Sequence, residues 1–278
     1  MAQVQSLRAS YRTKSSRYET GPKNSSPSSH TNARFSPNFR GPRPRFGTLP
    51  PARVTTVPKT QKGPRVITVE PAARQYAQQG LWRIFRDNLR YCPVPEIIGF
   101  QDQEINQELA RKGSFDGSLA TIDLSEASDR VHHDLVQYLL CDWPNVFDYV
   151  EASRSSHVSV LGRTREVTKF ASMGSALCFP IEAMVFATIL THRLSDRFCD
   201  AAHSVRVFGD DIVVPSDRYT DSVGALESFG LKVNDTKSFH QGAFRESCGG
   251  YYYRGCDVRP IRLKADLVRP PNRRAATD

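Results

Sequence analysis

A chain of 278 residues, 39 % hydrophobic and 24 % charged, can bury one sizeable core or one core with a small appendage, but not two large independent domains. Its six cysteines include no pair two residues apart, which argues against a zinc knuckle or a disulfide framework and for reduced thiols; no segment reaches the ~18–20 unbroken apolar residues of a membrane-spanning helix, and the N-terminus lacks the apolar core of a secretory signal. The formal charge of +9 is uneven: residues 1–50 hold nine Lys/Arg against Glu19 alone, so this Arg/Ser/Pro-rich stretch reads as a disordered basic arm, either a solvated tail or one that releases counterions from nucleic-acid phosphates.

From about residue 51 the composition becomes that of a folded protein. Arg65–Val69 reads as a short strand, and 72–90 as a helix with Leu81, Ile84, Phe85 and Leu89 near helical spacing. Leu119–Leu124 reads as a buried strand, followed by a helix whose Val131, Leu135 and Leu139 share one face. After the loop Ala171–Ser175, the apolar stretch Ala176–Phe198 reads as a buried helix with Pro180 in its first turn. Val205–Phe208 and Ile212–Pro215, β-branched runs on either side of Gly209-Asp210-Asp211, predict a hairpin. Residues 218–229 read as a helix stopped by Gly230, then a strand at Leu231–Asn234 and a second hairpin over Gly249–Val258. This order is α+β, an antiparallel sheet covered by helices on one face.

The chemistry concentrates in acids. Asp210 and Asp211 are adjacent carboxylates on a turn, where they repel each other and gain nothing from a core; such a turn is either plainly solvated or serves a cation. A third acid, Asp123, closes a different apolar strand and converges on the same sheet edge if the two elements are neighbours. Hard oxygen ligands suit Mg²⁺, and two such ions about 4 Å apart can activate a 3′-oxygen and stabilise a leaving pyrophosphate. Asp129 is either part of that site or a helix N-terminal acid. Ser172-Met173-Gly174-Ser175 offers small residues and backbone N–H groups for close approach by a template or nucleotide. Lys59, Lys62 and Arg65 read either as a solvated basic face or as cations for a triphosphate, and Lys237 as an exposed lysine or a proton donor to pyrophosphate.

Taken in order, these motifs resemble those of the replicase β subunit of the small positive-strand RNA bacteriophages, the levivirus group. The resemblance runs from about Val57 to Arg262: Val57–Pro71 for motif F, Gly117–Asp129 for motif A, Ser172-Met-Gly174 with its helix for motif B, Gly209-Asp210-Asp211 for motif C, Asn234-Asp-Thr-Lys237 for motif D and Phe244–Gly249 around motif E. It implies an RNA-directed RNA polymerase with a fingers-derived segment over 51–116, a palm over 117–262, a tail over 263–278 and no evident thumb, hence a truncated or fragmentary form. It implies that Asp123, Asp210 and Asp211 bind two Mg²⁺ ions, with Mn²⁺ a substitute, and that Lys59, Lys62 and Arg65 hold the triphosphate. Asp129, Ser172, Gly174 and Ser175 would recognise ribose and template, Glu182 standing where related polymerases often carry Asn, and Lys237 would act as general acid. The implied partners are RNA template and product, ribonucleoside triphosphates, host elongation factors Tu and Ts and a ribosomal protein, in the cytoplasm of an infected bacterium, with no membrane. A noncatalytic RNA-binding remnant is the competing reading; a reverse transcriptase is disfavoured by Phe208-Gly209, where those enzymes commonly carry Tyr-x-Asp-Asp.

Overall fold

A computed structural model describes residues 49–60, 63–89, 94–194 and 205–261. The expectations for the basic arm up to residue 48, for Lys62 and for the tail lie outside these residues. The elements run β1 (Ala52–Thr60), β2 (Gly63–Val69), α1 (Ala72–Leu89), α2 (Val94–Ile97), α3 (Glu104–Asp116), β3 (Leu119–Asp123), α4 (Ala127–Arg130), α5 (His133–Leu139), α6 (Pro144–Ser153), β4 (His157–Val160) and β5 (Arg163–Glu166). They continue with α7 (Cys178–Leu194), β6 (Arg206–Phe208), β7 (Asp211–Pro215), α8 (Tyr219–Ser228), β8 (Phe244–Ser247), β9 (Gly250–Tyr253) and β10 (Cys256–Asp257).

The central sheet has the order β3-β7-β6 with every pairing antiparallel. Successive strand residues face opposite sides. Ala120, Ile122, Val207, Ile212 and Val214 therefore share one face, and they join the main core with Ile181, Val185 and Ile189 of α7 and Ala225 and Leu226 of α8. Burying each of the Val, Leu and Ile side chains stabilises the fold by roughly 1.5–3 kcal/mol, and each Ala by less. The other face carries Thr121, Val213 and Arg206 in line with Asp123, Asp211 and Phe208, and it is covered too, Thr121 and Val213 being 2 % exposed. The sheet is thus buried on both sides, not on one as expected. Helix α3, which the periodicity did not reveal, lies against the start of β3. At Gly113 a Cβ would sit 2.6 Å from the Leu119 carbonyl oxygen, so glycine is what admits the helix this closely.

Strands β10-β9-β8 form a meander, longer by β8 than the expected hairpin. Arg245 of β8, 1 % exposed as a residue, ties it to the central sheet: its guanidinium donates to the carbonyls of Leu119, His240, Gln241, Gly242 and Phe244. Burial lowers its pKa, and charge-assisted bonds to five carbonyls offset the desolvation.

A second sheet has the order β2-β1-β4-β5, two antiparallel hairpins joined by a parallel β1–β4 contact. Only β2 of this sheet was legible as a strand. Two other expectations change form. The helix after β3 is broken into α4 and α5, because Val131 is extended and its carbonyl accepts from Phe170 N–H, while His132 caps α5 by accepting from Asp134 N–H. Leu231–Asn234 makes a single bridge, Leu124 to Val233, rather than a strand. The α7 expectation holds over Cys178–Leu194, with Pro180 in the first turn, and α8 ends before Gly230 at φ +83°. Cys141, Cys178, Cys248 and Cys256 are free thiols, and no helix among the described residues is long and apolar enough to cross a membrane.

Candidate active site

The register of the central sheet sets the acids. Asp123 is the last residue of β3 and Asp211 the first of β7, and the antiparallel ladder makes them direct partners, with Cα atoms roughly 4.5–5.5 Å apart by ladder geometry. Asp210 occupies the β6–β7 turn beside them and is exposed. That turn needs Gly209: its φ is +60°, and a Cβ there would lie 2.6 Å from the Phe179 ring of α7. Three acids distant in sequence are brought to one end of one sheet.

Protein donors hold one oxygen of each strand acid. Asp123 Oδ2 accepts from Asn234 Nδ2 at 2.9 Å and lies 4.0 Å from Lys237 Nζ. Asp211 Oδ1 accepts from the Cys248 N–H at 3.0 Å and from Ser247 Oγ at 3.3 Å. Burial raises the pKa of Asp123, partly countered by Lys237 and Asn234 and reinforced by Asp210. Asp211 is pushed up to about 6, by burial first and then by the charges of Asp210 and Asp123 working against the Cys248 hydrogen bond. Glu182 of α7, 8 % exposed, is pushed up to about 8 by burial and by Asp210 and Asp129. Among the described residues no group of three or more His, Cys, Asp or Glu is placed so that it could hold a metal ion as it stands. The donor set nevertheless fits hard divalent cations: acids forced together and partly dehydrated repel one another, and a cation between them relieves that repulsion.

The remaining candidates fall around this centre unequally. Asp129 lies in the first turn of the short helix α4, as the helix-end reading has it, and is also ion-paired to Lys169 Nζ at 2.5 Å. Ser172 is buried, and Ser175 Oγ accepts from Leu177 N–H at the start of α7. Gly174 has φ +114° and packs so tightly that a Cβ would meet the Thr68 carbonyl at 2.0 Å. The neighbouring Met173 carbonyl accepts from Thr68 N–H at 2.8 Å, so this loop continues the free edge of β2. Arg65 lies on β2, opposite Val57 and exposed, three residues and therefore about 10 Å of strand from Thr68. Lys59 is exposed near the end of β1.

Sequence reading missed two participants. Asn234 was inside the quoted Asn-Asp-Thr-Lys stretch but had no role assigned. Lys169 had no local signal at all, because its link to Asp129 depends on the bridge between His132 and Lys169.

The family described as RNA replicase, beta-chain, matches residues 45–273. The RNA-directed RNA polymerase beta chain of Escherichia phage MS2 is 39 % identical over 211 residues, which is 76 % of this chain and 37 % of the relative. The corresponding subunit of Qbeta virus strain MX1 is 36 % identical over 220 residues, 78 % of this chain and 36 % of that protein. The chain therefore spans little more than a third of the length of these relatives. Among solved structures, the RNA-dependent RNA polymerase of a human picorbirnavirus superposes with a TM-score of 0.53 at 14 % identity, over 73 % of this chain and 43 % of that one. The apo telomerase of Candida tropicalis gives 0.53 at 10 % identity, over 73 % and 46 %. At such identities the structural matches establish the polymerase palm fold alone.

Proposed function

The chain belongs to the RNA replicase beta-chain family, and on that premise we propose that it carries the nucleotidyl-transfer site of an RNA-directed RNA polymerase, adding ribonucleotides to an RNA 3′ end on an RNA template. The observation that supports this most is the pairing of Asp123 with Asp211 across β3 and β7, with Asp210 in the adjoining turn. Asp123, Asp210 and Asp211 would hold two divalent cations, Mg²⁺ with Mn²⁺ as a substitute, which when bound supply Lewis acidity to the attacking 3′-oxygen and the leaving pyrophosphate. Asn234, by holding Oδ2 of Asp123, fixes the direction in which its carboxylate is presented. Lys237, half exposed and 4.0 Å from the same oxygen, would give a proton to pyrophosphate as the phosphorus–oxygen bond breaks.

The loop Ser172–Ser175 would bear on the template base and Asp129, steadied by Lys169, on the ribose. Arg65 and Lys59, with Lys62, would neutralise the triphosphate. Association with host elongation factors Tu and Ts and a ribosomal protein, in an infected bacterium, belongs to the same proposal.

The test is Mg²⁺-dependent incorporation of labelled ribonucleotide on an RNA template by the purified chain. Asp210→Asn is the control, because Asp210 is exposed and its replacement should leave the fold intact. Wild-type signal well above that of the variant is expected. Equal background from both would reject the catalytic reading in favour of a noncatalytic RNA-binding chain.

A further inference from the structure

Gln78 is a polar residue in a polar stretch of α1, yet it is 1 % exposed. Both ends of its amide are used. Nε2 donates to the Ser153 carbonyl at 2.9 Å, and Oε1 accepts from the Ala176 N–H at 3.1 Å. The first partner is the end of α6. The second is the backbone just after Ser172–Ser175, two residues before α7 begins at Cys178. Gln78 therefore braces, from another element, the turn that leads into α7.

The loop is gripped at its other end as well. Met173 is bonded to Thr68 of β2, and Gly174 lies flat against the Thr68 carbonyl. Neither grip comes from the central sheet that carries the acids. Both come from the β1–β2 hairpin and the helix that follows it, the segment that also bears Arg65.

Two nearby residues explain why the clamp is stiff. Arg74 lies one turn before Gln78 on the same face of α1, and Glu70 ends the segment that leads from β2 into the helix. Arg74 donates to the Ala152 carbonyl at 3.4 Å and to that of Arg154, while Glu70 accepts from Ser155 Oγ at 2.5 Å. Together these residues hold the end of α6, and Gln78 alone also reaches the loop.

We propose that Gln78 is a positioning residue for the loop Ser172–Ser175, fixing it to the β1–β2–α1 unit so that the loop and Arg65 keep one spacing as a nucleotide is bound. The clamp rests on geometry alone; that the loop bears on template and nucleotide rests on the function proposed above.

Amide hydrogen exchange on the full chain tests the clamp without any activity. Three variants are compared with wild type: Gln78→Met, which removes both bonds; Gln78→Glu, which keeps an acceptor oxygen toward Ala176; and Arg74→Met, which loosens the same end of α6 without touching the loop. Exchange over residues 172–178 should rise about tenfold or more in Gln78→Met, stay near wild type in Arg74→Met and return to within about threefold in Gln78→Glu. Unchanged loop exchange in Gln78→Met, or an equal rise in Arg74→Met, would overturn the proposal. Should Gln78→Met fail to fold, a loop that loses protection in Gln78→Glu overturns it equally, and one that keeps protection while Ser153–Ser155 loses it supports it. In the incorporation assay Gln78→Met should raise the nucleotide KM about tenfold with kcat within about threefold, a split that general destabilisation would not produce. A wild-type chain with no incorporation would count against the polymerase reading and leave the exchange result to decide the clamp.

Discussion

The central sheet and the β2-β1-β4-β5 sheet hold their functional side chains in opposite ways. In the first, Asp123 and Asp211 are fixed by strand register, by burial and by named donors from Asn234, Cys248 and Ser247. In the second, Lys59 and Arg65 stand exposed on long stems, and the strand fixes only where each stem begins. Short acids on rigid backbone suit a reaction that needs positions defined to a fraction of an ångström. Long exposed cations suit a ligand that is attracted and loosely retained. On the proposed function the difference would separate chemistry from binding, and it can be broken by substitutions on either side.

The largest effect should come from Asp123→Asn. Losing a charge at the shared edge should cut kcat on the order of 10³-fold, about 4 kcal/mol of barrier, with little change in nucleotide KM. The fold should not suffer, because burial already disfavours the charged form of Asp123 and amide replacement removes one of the mutually repelling charges. Steady-state incorporation and thermal unfolding, measured together, check both halves. A variant that keeps kcat would place the chemistry elsewhere. Next, Asp129→Ala should reduce the preference for ribo- over deoxynucleotides about 10- to 100-fold, as loss of a hydrogen-bonding partner to a substrate hydroxyl does. Comparing kcat/KM for the two substrates decides it; an unchanged ratio would return Asp129 to a purely structural pair with Lys169.

How far the sequence could be read follows the same division. Gly209-Asp210-Asp211 was legible because a hairpin announces itself locally, by β-branched runs around a turn residue, and Asp123 because it closes an apolar run. What hid was whatever depends on distant chain. Helix α3 has a mixed surface because it packs against two sheets, and β1 was obscured by Pro58, which cannot donate to a ladder, and by Lys59, which read as part of a basic face or a triphosphate site. The break at Val131–His132 was invisible because a tertiary bond to Phe170, and not a residue preference, pulls the backbone out of the helix. Lys169 and Gln78 carry no pattern at all, and Asn234, although inside the motif D stretch, gave no sign of its role. Each is an ordinary polar residue whose partner lies 40, 98 or 111 positions away.

On the binding side, Arg65→Ala should raise the nucleotide KM about tenfold and leave kcat within about threefold, since an exposed cation contributes to retaining the triphosphate more than to the transition state. The rise should shrink as salt is added, because charges exposed to solvent are screened over about 8–10 Å at ordinary ionic strength. Should kcat fall as steeply as for Asp123→Asn, the cation would belong to the chemistry, and the contrast between the two sheets would fail.

The smallest effect is expected at the joint between the two regions. Glu151 accepts from Arg154 at 2.9 and 3.1 Å and meets His133 Nε2 at 2.8 Å. Burial alone would raise its pKa, but the Arg154 and His133 contacts outweigh it and the net shift is downward from 4.5. A carboxylate lowered on folding adds stability above its unfolded pKa and loses it as pH falls through the folded one. Glu151→Gln should therefore destabilise the chain at pH 7, by less than ~1 kcal/mol because the side chain is 36 % exposed and screened, and the gap from wild type should narrow near pH 4 and below. Urea unfolding at the two pH values measures it. Incorporation kinetics should not move, because this pair reaches neither the acids nor the loop held by Gln78. A fall in kcat at unchanged stability would show that the joint transmits to the site, so that the two regions do not act separately.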